Sequence, residues 1–149
     1  MKIIEKEKLS ALVPHRGRMF IIDRITDWDT AAWKISSETK ITEDFMFYDK
    51  TAEGVPNYAI FEIAAQTVSA LTGIFAKENN LPPNMGMILS VSGLKISVPL
   101  VKAGQTVSVQ AQRESDVGSV YGFTAKIFID GQECGGGKLT VMEAGSEGL

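Results

Sequence analysis

Between Pro56 and Lys77 the chain carries one acidic or basic side chain before the closing lysine, Glu62. Around it stand Ala59, Ile60, Phe61, Ile63, Ala64, Ala65, Val68, Ala70, Leu71, Ile74 and Phe75. A carboxylate in such surroundings costs several kcal/mol unless it is paired, hydrogen-bonded or kept protonated. Gln66 follows four residues later, which on a helix places it on the same face as Glu62. A lone carboxyl on an apolar helix is a candidate for proton transfer. The structural alternative is a hydrogen-bonded carboxylate at a subunit interface. His15 is the only histidine and Cys134 the only cysteine, so a zinc site is not expected and no intrachain disulfide can form.

The element that must position Glu62 is a helix over Val55 to Lys77, apolar on nearly every face and therefore expected to be buried. Pro56 pre-sets its entry, Asn57 is the expected N-cap, Gly73 weakens its late turns, and Asn79-Asn80 with Pro82-Pro83 end it. Before it, Ile3 to Leu12 reads as a short surface helix and residues 13–18 as a loop. Met19 to Ile25 reads as a buried strand, Asp27-Trp28-Asp29 as a turn, and Trp28 to Lys40 as a solvated strand. Phe45 to Gly54 is an aromatic-rich loop that feeds the helix.

After the helix the periodicity changes to two. Met87 to Val98 is a strand in which Gly93 marks a bulge. Val101 to Gly104 is a turn, and Thr106 to Arg113 alternates as a half-buried strand. Ser119 to Ile129 pairs back after the turn at Asp116-Val117-Gly118. Asp130-Gly131 is the strongest hairpin signal and leads into Glu133 to Met142, which the run Gly135-Gly136-Gly137 should weaken. Residues 144–149 read as a flexible tail.

One long apolar helix followed by a meander of antiparallel strands is an α+β domain. The 149 residues fit a single domain, and neither repeats nor low-complexity segments interrupt it. A small sheet leaves one edge and part of the helix uncovered, so a dimer is expected. The apolar fraction of 44%, the charged fraction of 22% and the net charge of −3 are ordinary for a globular protein and argue against nucleic acid as a partner. The start is charged, without the apolar core of a signal peptide, and no apolar run reads as long enough to cross a bilayer; a cytoplasmic location is expected.

Three stretches together resemble the hotdog-fold 3-hydroxyacyl-(acyl carrier protein) dehydratases. Leu12-Val13-Pro14-His15-Arg16 followed by Met19-Phe20-Ile21-Ile22-Asp23-Arg24-Ile25 is similar to the family's L-P-H-R-x-P-x-L-L-V-D-R-V. Pro56 through Glu62-Ile63-Ala64-Ala65-Gln66 is similar to P-G-V-x-x-x-E-A-M-A-Q. Val98-Pro99-Leu100-Val101-Lys102-Ala103-Gly104-Gln105 is similar to the turn R-P-V-x-P-G-D. The family's loop histidine falls on Tyr48 without a gap, and the glycine after its proline is Asn57. A histidine near the start combined with E-x-x-A-Q on the helix looks closer to the dehydratase-like proteins of aryl-polyene pigment clusters.

The resemblance implies a helix wrapped by an antiparallel sheet, and a homodimer whose paired sheets run together with the active site at the interface. It implies a substrate carried as a thioester on acyl carrier protein or coenzyme A, through phosphopantetheine, with no other cofactor. The reaction it implies is removal of water from a 3-hydroxyacyl thioester to leave the trans-2-enoyl product. In that reaction His15 takes the proton beside the carbonyl and Glu62, disfavoured as an anion by apolar surroundings, protonates the departing hydroxyl. Gln66 orients Glu62, and first-turn amides around Asn57 and Tyr58 stabilise the enolate oxygen. Two alternatives keep the fold: a hotdog acyl thioesterase, in which the helix carboxylate activates water, and an acyl-binding or partner subunit without activity, a reading fed by Tyr48.

Overall fold

The computed structural model describes residues 3–9, 21–81, 86–118 and 120–143. Its centre is α2, Ile60–Glu78, preceded by a 3-10 turn at Asn57–Ala59. Ile60, Ile63, Ala64, Val68, Ala70, Leu71 and Ile74 are buried on it, as an all-round apolar helix requires. The helix stops in a Schellman arrangement. Asn80 adopts φ 53°, its N–H donates to the Lys77 carbonyl, and the Leu81 N–H reaches back to Ala76. Asparagine tolerates the left-handed conformation that such an ending needs.

Seven strands curl around this helix in one sheet. They are β1 (Ile4–Glu5), β2 (Arg24–Asp29), β3 (Lys34–Lys40), β5 (Gly86–Ile96), β7 (Thr106–Val117), β8 (Val120–Ile129) and β9 (Gln132–Glu143). Their order across the sheet is β1-β2-β3-β7-β8-β9-β5, and every pairing in it is antiparallel. A separate two-stranded pair, β4 (Val55–Pro56) with β6 (Leu100–Val101), holds the helix entrance. This is the wrapped-helix architecture expected from the sequence. The bulge is present: Gly93 sits at φ 63° where the β5–β9 register shifts between Ser92 and Lys95. Asp130 and Gly131, at φ 50° and 83°, form the tight turn between β8 and β9.

Five local expectations change. Residues 3–9 form β1 and a one-turn helix, α1 (Lys6–Leu9), instead of a continuous surface helix. Of the strand placed at Met19 to Ile25, residues 19 and 20 lie outside the described ones. Ile21 and Ile22 are buried but unladdered, and pairing starts at Arg24. The turn moves from Asp27–Asp29 to residues 30–33, because the Asp29 carboxylate accepts the N–H groups of Ala31 and Ala32 and so closes the turn after itself. The strand expected to be solvated is not: Ile35, Ser37 and Thr39 are 2%, 0% and 1% exposed, facing α2. Finally, the glycine run keeps β9 intact and lets backbones approach. A Cβ on Gly135 would collide with the Lys95 carbonyl and lie 2.8 Å from Ile96 Cα, and one on Gly136 would strike the Ala125 carbonyl.

The segment Asn57–Glu78 is also long and apolar enough by composition to cross a membrane, contrary to the reading of its length, but 67% of its most apolar window is buried inside the fold. Its far end is closed by Trp33, whose ring packs tilted against Phe75 with centroids 4.8 Å apart and lies beneath the Arg113 guanidinium at 4.3 Å. The tail at residues 144–149 and the loop at 13–18 lie outside the described residues.

Candidate active site

Glu62 stands half-buried in the first turn of α2. One turn on, Gln66 is fully buried, 0% exposed. Its Oε1 accepts the Ile21 backbone N–H at 3.0 Å, and its Nε2 donates to Glu62 Oε1 at 3.2 Å. The orientation of the amide is forced. A backbone N–H can only donate, so the oxygen of Gln66 must face Ile21 and the NH2 must face the carboxyl.

The next residue pins the same turn to the sheet. Thr67 Oγ1 donates to the Ile63 carbonyl at 2.7 Å and lies 2.7 Å from Ser37 Oγ on β3. Both residues are 0% exposed. Rotation and slide of the helix under Glu62 are therefore fixed by hydrogen bonds to two places, the chain at Ile21 and the strand at Ser37.

Asn57 does not cap the helix. The 3-10 turn has no side-chain cap; Asn57 Nδ2 donates to the Val98 carbonyl at 3.1 Å and its N–H to the Pro99 carbonyl at 3.1 Å. Asn57 thus staples the helix entrance to the segment before β6, and its N–H is not available to a substrate. Tyr58 is 71% exposed. The Tyr58 N–H lies at the start of this 3-10 turn, where the first amides of a helix ordinarily lack an acceptor in the helix itself. That position, and not the engaged N–H of Asn57, is the one a developing oxyanion could approach.

His15, together with Arg16 and Arg18, lies outside the described residues. Tyr48, which occupies the family's histidine place, lines a cavity of about 590 Å³ with Glu43, Asp44, Lys50, Glu53, Lys102 and Ala103. Glu62 is not among the residues lining it. Loss of solvent and the carboxylates of Glu43 and Glu53 push the Tyr48 phenol up, which favours its protonated form. Among the described residues no three His, Cys, Asp or Glu side chains converge as a metal site requires.

Sequence reasoning paired Glu62 with Gln66 through their spacing. It missed the Ile21 N–H, since a backbone group leaves no residue signal, and it missed Ser37 because small hydroxyls on an alternating strand read as solvated.

The model of the ApeP-like family, described as ApeP dehydratase, matches residues 7–147. The 3-hydroxyacyl-[acyl-carrier-protein] dehydratase FabZ of Chlamydia pneumoniae is 26% identical over 112 residues, covering 73% of this chain and 72% of that protein. FabZ of Chlamydia trachomatis serovar L2 is 25% identical over 109 residues, 71% of this chain and 70% of that protein. Among solved structures, the dehydratase heterocomplex ApeI:P from Xenorhabdus doucetiae superposes with a TM-score of 0.85 at 17% identity, covering 95% of this chain and 93% of that one. A hypothetical thioesterase with coenzyme A from Streptococcus pneumoniae reaches 0.63 at 11% identity, covering 81% and 84%. At these identities the structural likenesses establish the hotdog fold alone. The family match spans nearly the whole chain, from inside α1 to beyond β9, and includes the helix turn that carries Glu62 and Gln66: the chain belongs to the ApeP-like dehydratase family.

Proposed function

We propose that this protein removes water from a 3-hydroxyacyl thioester, held on the phosphopantetheine of an acyl carrier protein or coenzyme A, to give the trans-2-enoyl thioester during cytoplasmic synthesis of a fatty-acid or polyene chain. Membership of a dehydratase family and the names of the FabZ relatives support the reaction class. The observation that carries the site is the half-buried Glu62 carboxyl in the first turn of its helix, hydrogen-bonded by the fully buried amide of Gln66.

In this reading the Tyr58 N–H, at the start of the helix, polarises the thioester carbonyl, which acidifies the neighbouring C–H. His15 removes that proton, and Glu62 delivers a proton to the departing hydroxyl. Asn57 serves by holding the helix entrance, not by touching the oxygen. No further cofactor takes part in this scheme.

Around Glu62 the helix presents Tyr58 at 71% and Phe61 at 38% exposure, an apolar face that a second hotdog subunit would cover. A long edge strand, β5, ends the sheet. A homodimer is the simplest such assembly. The ApeI:P neighbour is a heterocomplex, which supports a different hotdog subunit as the alternative partner.

The test is turnover of matched 3-hydroxyacyl substrates on carrier protein and on coenzyme A by the wild type, Glu62→Gln and His15→Ala, with mass and enoyl absorbance as readouts. Each variant should lose at least about 100-fold in rate. Wild-type turnover untouched by both changes would remove the site assignment, and release of free thiol without enoyl product would replace dehydration by hydrolysis. Light scattering of the purified chain, alone and with a co-expressed second hotdog subunit, decides between the two assemblies.

A further inference from the structure

The face of the sheet turned away from α2 carries its charges in an order that alternation and register fix. Ile35, Val109, Ala111, Phe123, Ala125 and Leu139 are buried toward the helix, so the residues between and beside them point outward. Two rows result. In the first, Asp29 on β2 lies opposite Lys34, Lys34 opposite Gln112, Gln112 opposite Thr124, and Thr124 opposite Lys138 on β9. In the second, Asp27 lies opposite Ser36, Ser36 opposite Gln110, and Gln110 opposite Lys126 on β8. A cavity of about 570 Å³ opens on this face, with Asp27, Asp29, Gln110, Glu114 and Lys126 in its walls.

The carboxylates of β2 thus stand two strands to one side of β7, and Lys126 and Lys138 stand one and two strands to the other. Gln110, Gln112, Lys126 and Lys138 are exposed. Asp27, Lys34, Lys126 and Lys138 enter no ion pair among the described residues.

We propose that this face is an interface between two copies of this chain, related by a two-fold axis that runs along β7. Such an axis lays β2 of each copy over β9 of the other and β3 over β8. Asp29 then meets Lys138 of the second copy, and Asp27 lies one strand from its Lys126. Gln110 and Gln112 meet their own counterparts on the axis, and an amide can both donate to and accept from another amide. Glu114 also falls near the axis, where Lys34 of both copies flanks it. The sheet curls away at β2 and β9, and the long lysine stems bridge the gap that this opens. Five strands make a patch roughly 20 Å across. That is small for a permanent interface, so the association is expected to be weak and salt-sensitive. A uniformly acidic partner fits less well, because Asp27, Asp29 and Glu114 would repel it. The pairing does not rest on the proposed reaction. It uses the side of the sheet opposite α2, so a subunit on the helix face and a copy on this one can be bound together.

Sedimentation equilibrium of the purified chain across the micromolar range, at low and high salt, reads the association. Lys126→Asp and Asp27→Lys should each weaken it roughly tenfold. The two changes in one chain should restore it to within about threefold of wild type, because the axis sets each changed residue near the other. Gln110→Lys places two ammonium groups together on the axis and should abolish the association, whereas an acidic partner would bind that variant more tightly. Poly-glutamate serves as the acidic probe. All three positions are exposed and lie off α2, and unchanged thermal unfolding at low protein concentration shows that the fold is kept. A wild-type mass that none of the three single changes lowers, or a double variant as weak as the singles, would overturn the proposal. Poly-glutamate binding that Gln110→Lys strengthens, with the mass of the chain unaltered, would assign the face to an acidic partner instead.

Discussion

Replacing Thr67 by valine removes one hydroxyl and almost no volume, and its cost can be worked out from who donates to whom. The Ile63 carbonyl can only accept, so the Thr67 proton is committed to it and Ser37 must be the donor in the 2.7 Å contact with Thr67. Thr67→Val therefore leaves the Ser37 O–H without its acceptor at a position that is 0% exposed, a loss of about 1–3 kcal/mol. Ser37→Ala leaves Thr67 still donating to Ile63 and removes only one acceptor contact, about 0.5–1.5 kcal/mol. With both changes made, no polar group is stranded. The double variant should then be less destabilised than the sum of the singles by about 1 kcal/mol.

The assay is urea unfolding followed by the fluorescence of Trp28 and Trp33, at one fixed protein concentration so that any subunit association is held constant. Because Gln66 rides on the same turn, Thr67→Val should also lower kcat toward 3-hydroxyacyl thioester more than Ser37→Ala does. Single costs that add to within about 0.3 kcal/mol in the double variant would refute the assignment of donor and acceptor, and with it the claim that this pair fixes the helix.

Gly135→Ala should destabilise by about 3 kcal/mol, because the new methyl meets the backbone of Lys95 and Ile96 rather than a side chain that could swing aside; thermal unfolding should drop by roughly 6–12 °C, and an unchanged midpoint would mean that β5 and β9 do not approach as described. Thr39 is 1% exposed and its hydroxyl has no hydrogen-bond partner among the described residues, so Thr39→Val should raise stability by about 1 kcal/mol in the same urea assay, whereas a loss would reveal a bonded hydroxyl. Burial, with a smaller push from Glu133, raises the Cys134 thiol, which means that less thiolate is present at any given pH than on an ordinary cysteine. Alkylation by iodoacetamide should stay slow at pH 8 and accelerate only above the usual thiol range; labelling at neutral pH as fast as a small free thiol would contradict the burial.

What could be read from residue types was what residue types determine. Asp130-Gly131 named its own hairpin because both positions need a positive φ, and Gly93 named its bulge for the same reason. The helix announced itself because its apolar side chains leave no solvent face. Turn placement failed where one side chain could act in two ways: Asp29 looks like a turn residue, yet it ends a strand and closes the turn beyond itself through Ala31 and Ala32. Asn57 failed likewise, since the same amide that suits a helix cap also suits a strand carbonyl, and Val98 lies within its reach. The family resemblance, drawn on three stretches between Leu12 and Gln105, agrees with the family match over residues 7–147, but it could not say which of its polar positions touch one another.

The polar residues on and under α2 give the physical meaning of that gap. From sequence, Gln66 and Thr67 are interruptions of an apolar helix, each expected alone to weaken the core, and Ser37 belongs to a strand that reads as solvated. In the fold the three are satisfied by partners in two separate segments, the chain at Ile21 and Ser37 on β3. Apolar packing sets how deeply a helix lies, but it is nearly indifferent to a small rotation about the axis, because apolar area uncovered on one flank is covered again on the other. Hydrogen bonds are not indifferent, since they weaken steeply with misalignment. A carboxyl that must meet a substrate atom within a fraction of an ångström needs that rotation fixed. The polar interruptions are therefore the part of the helix that converts a generic buried cylinder into a mount for Glu62, and they belong to the site even where no substrate can touch them.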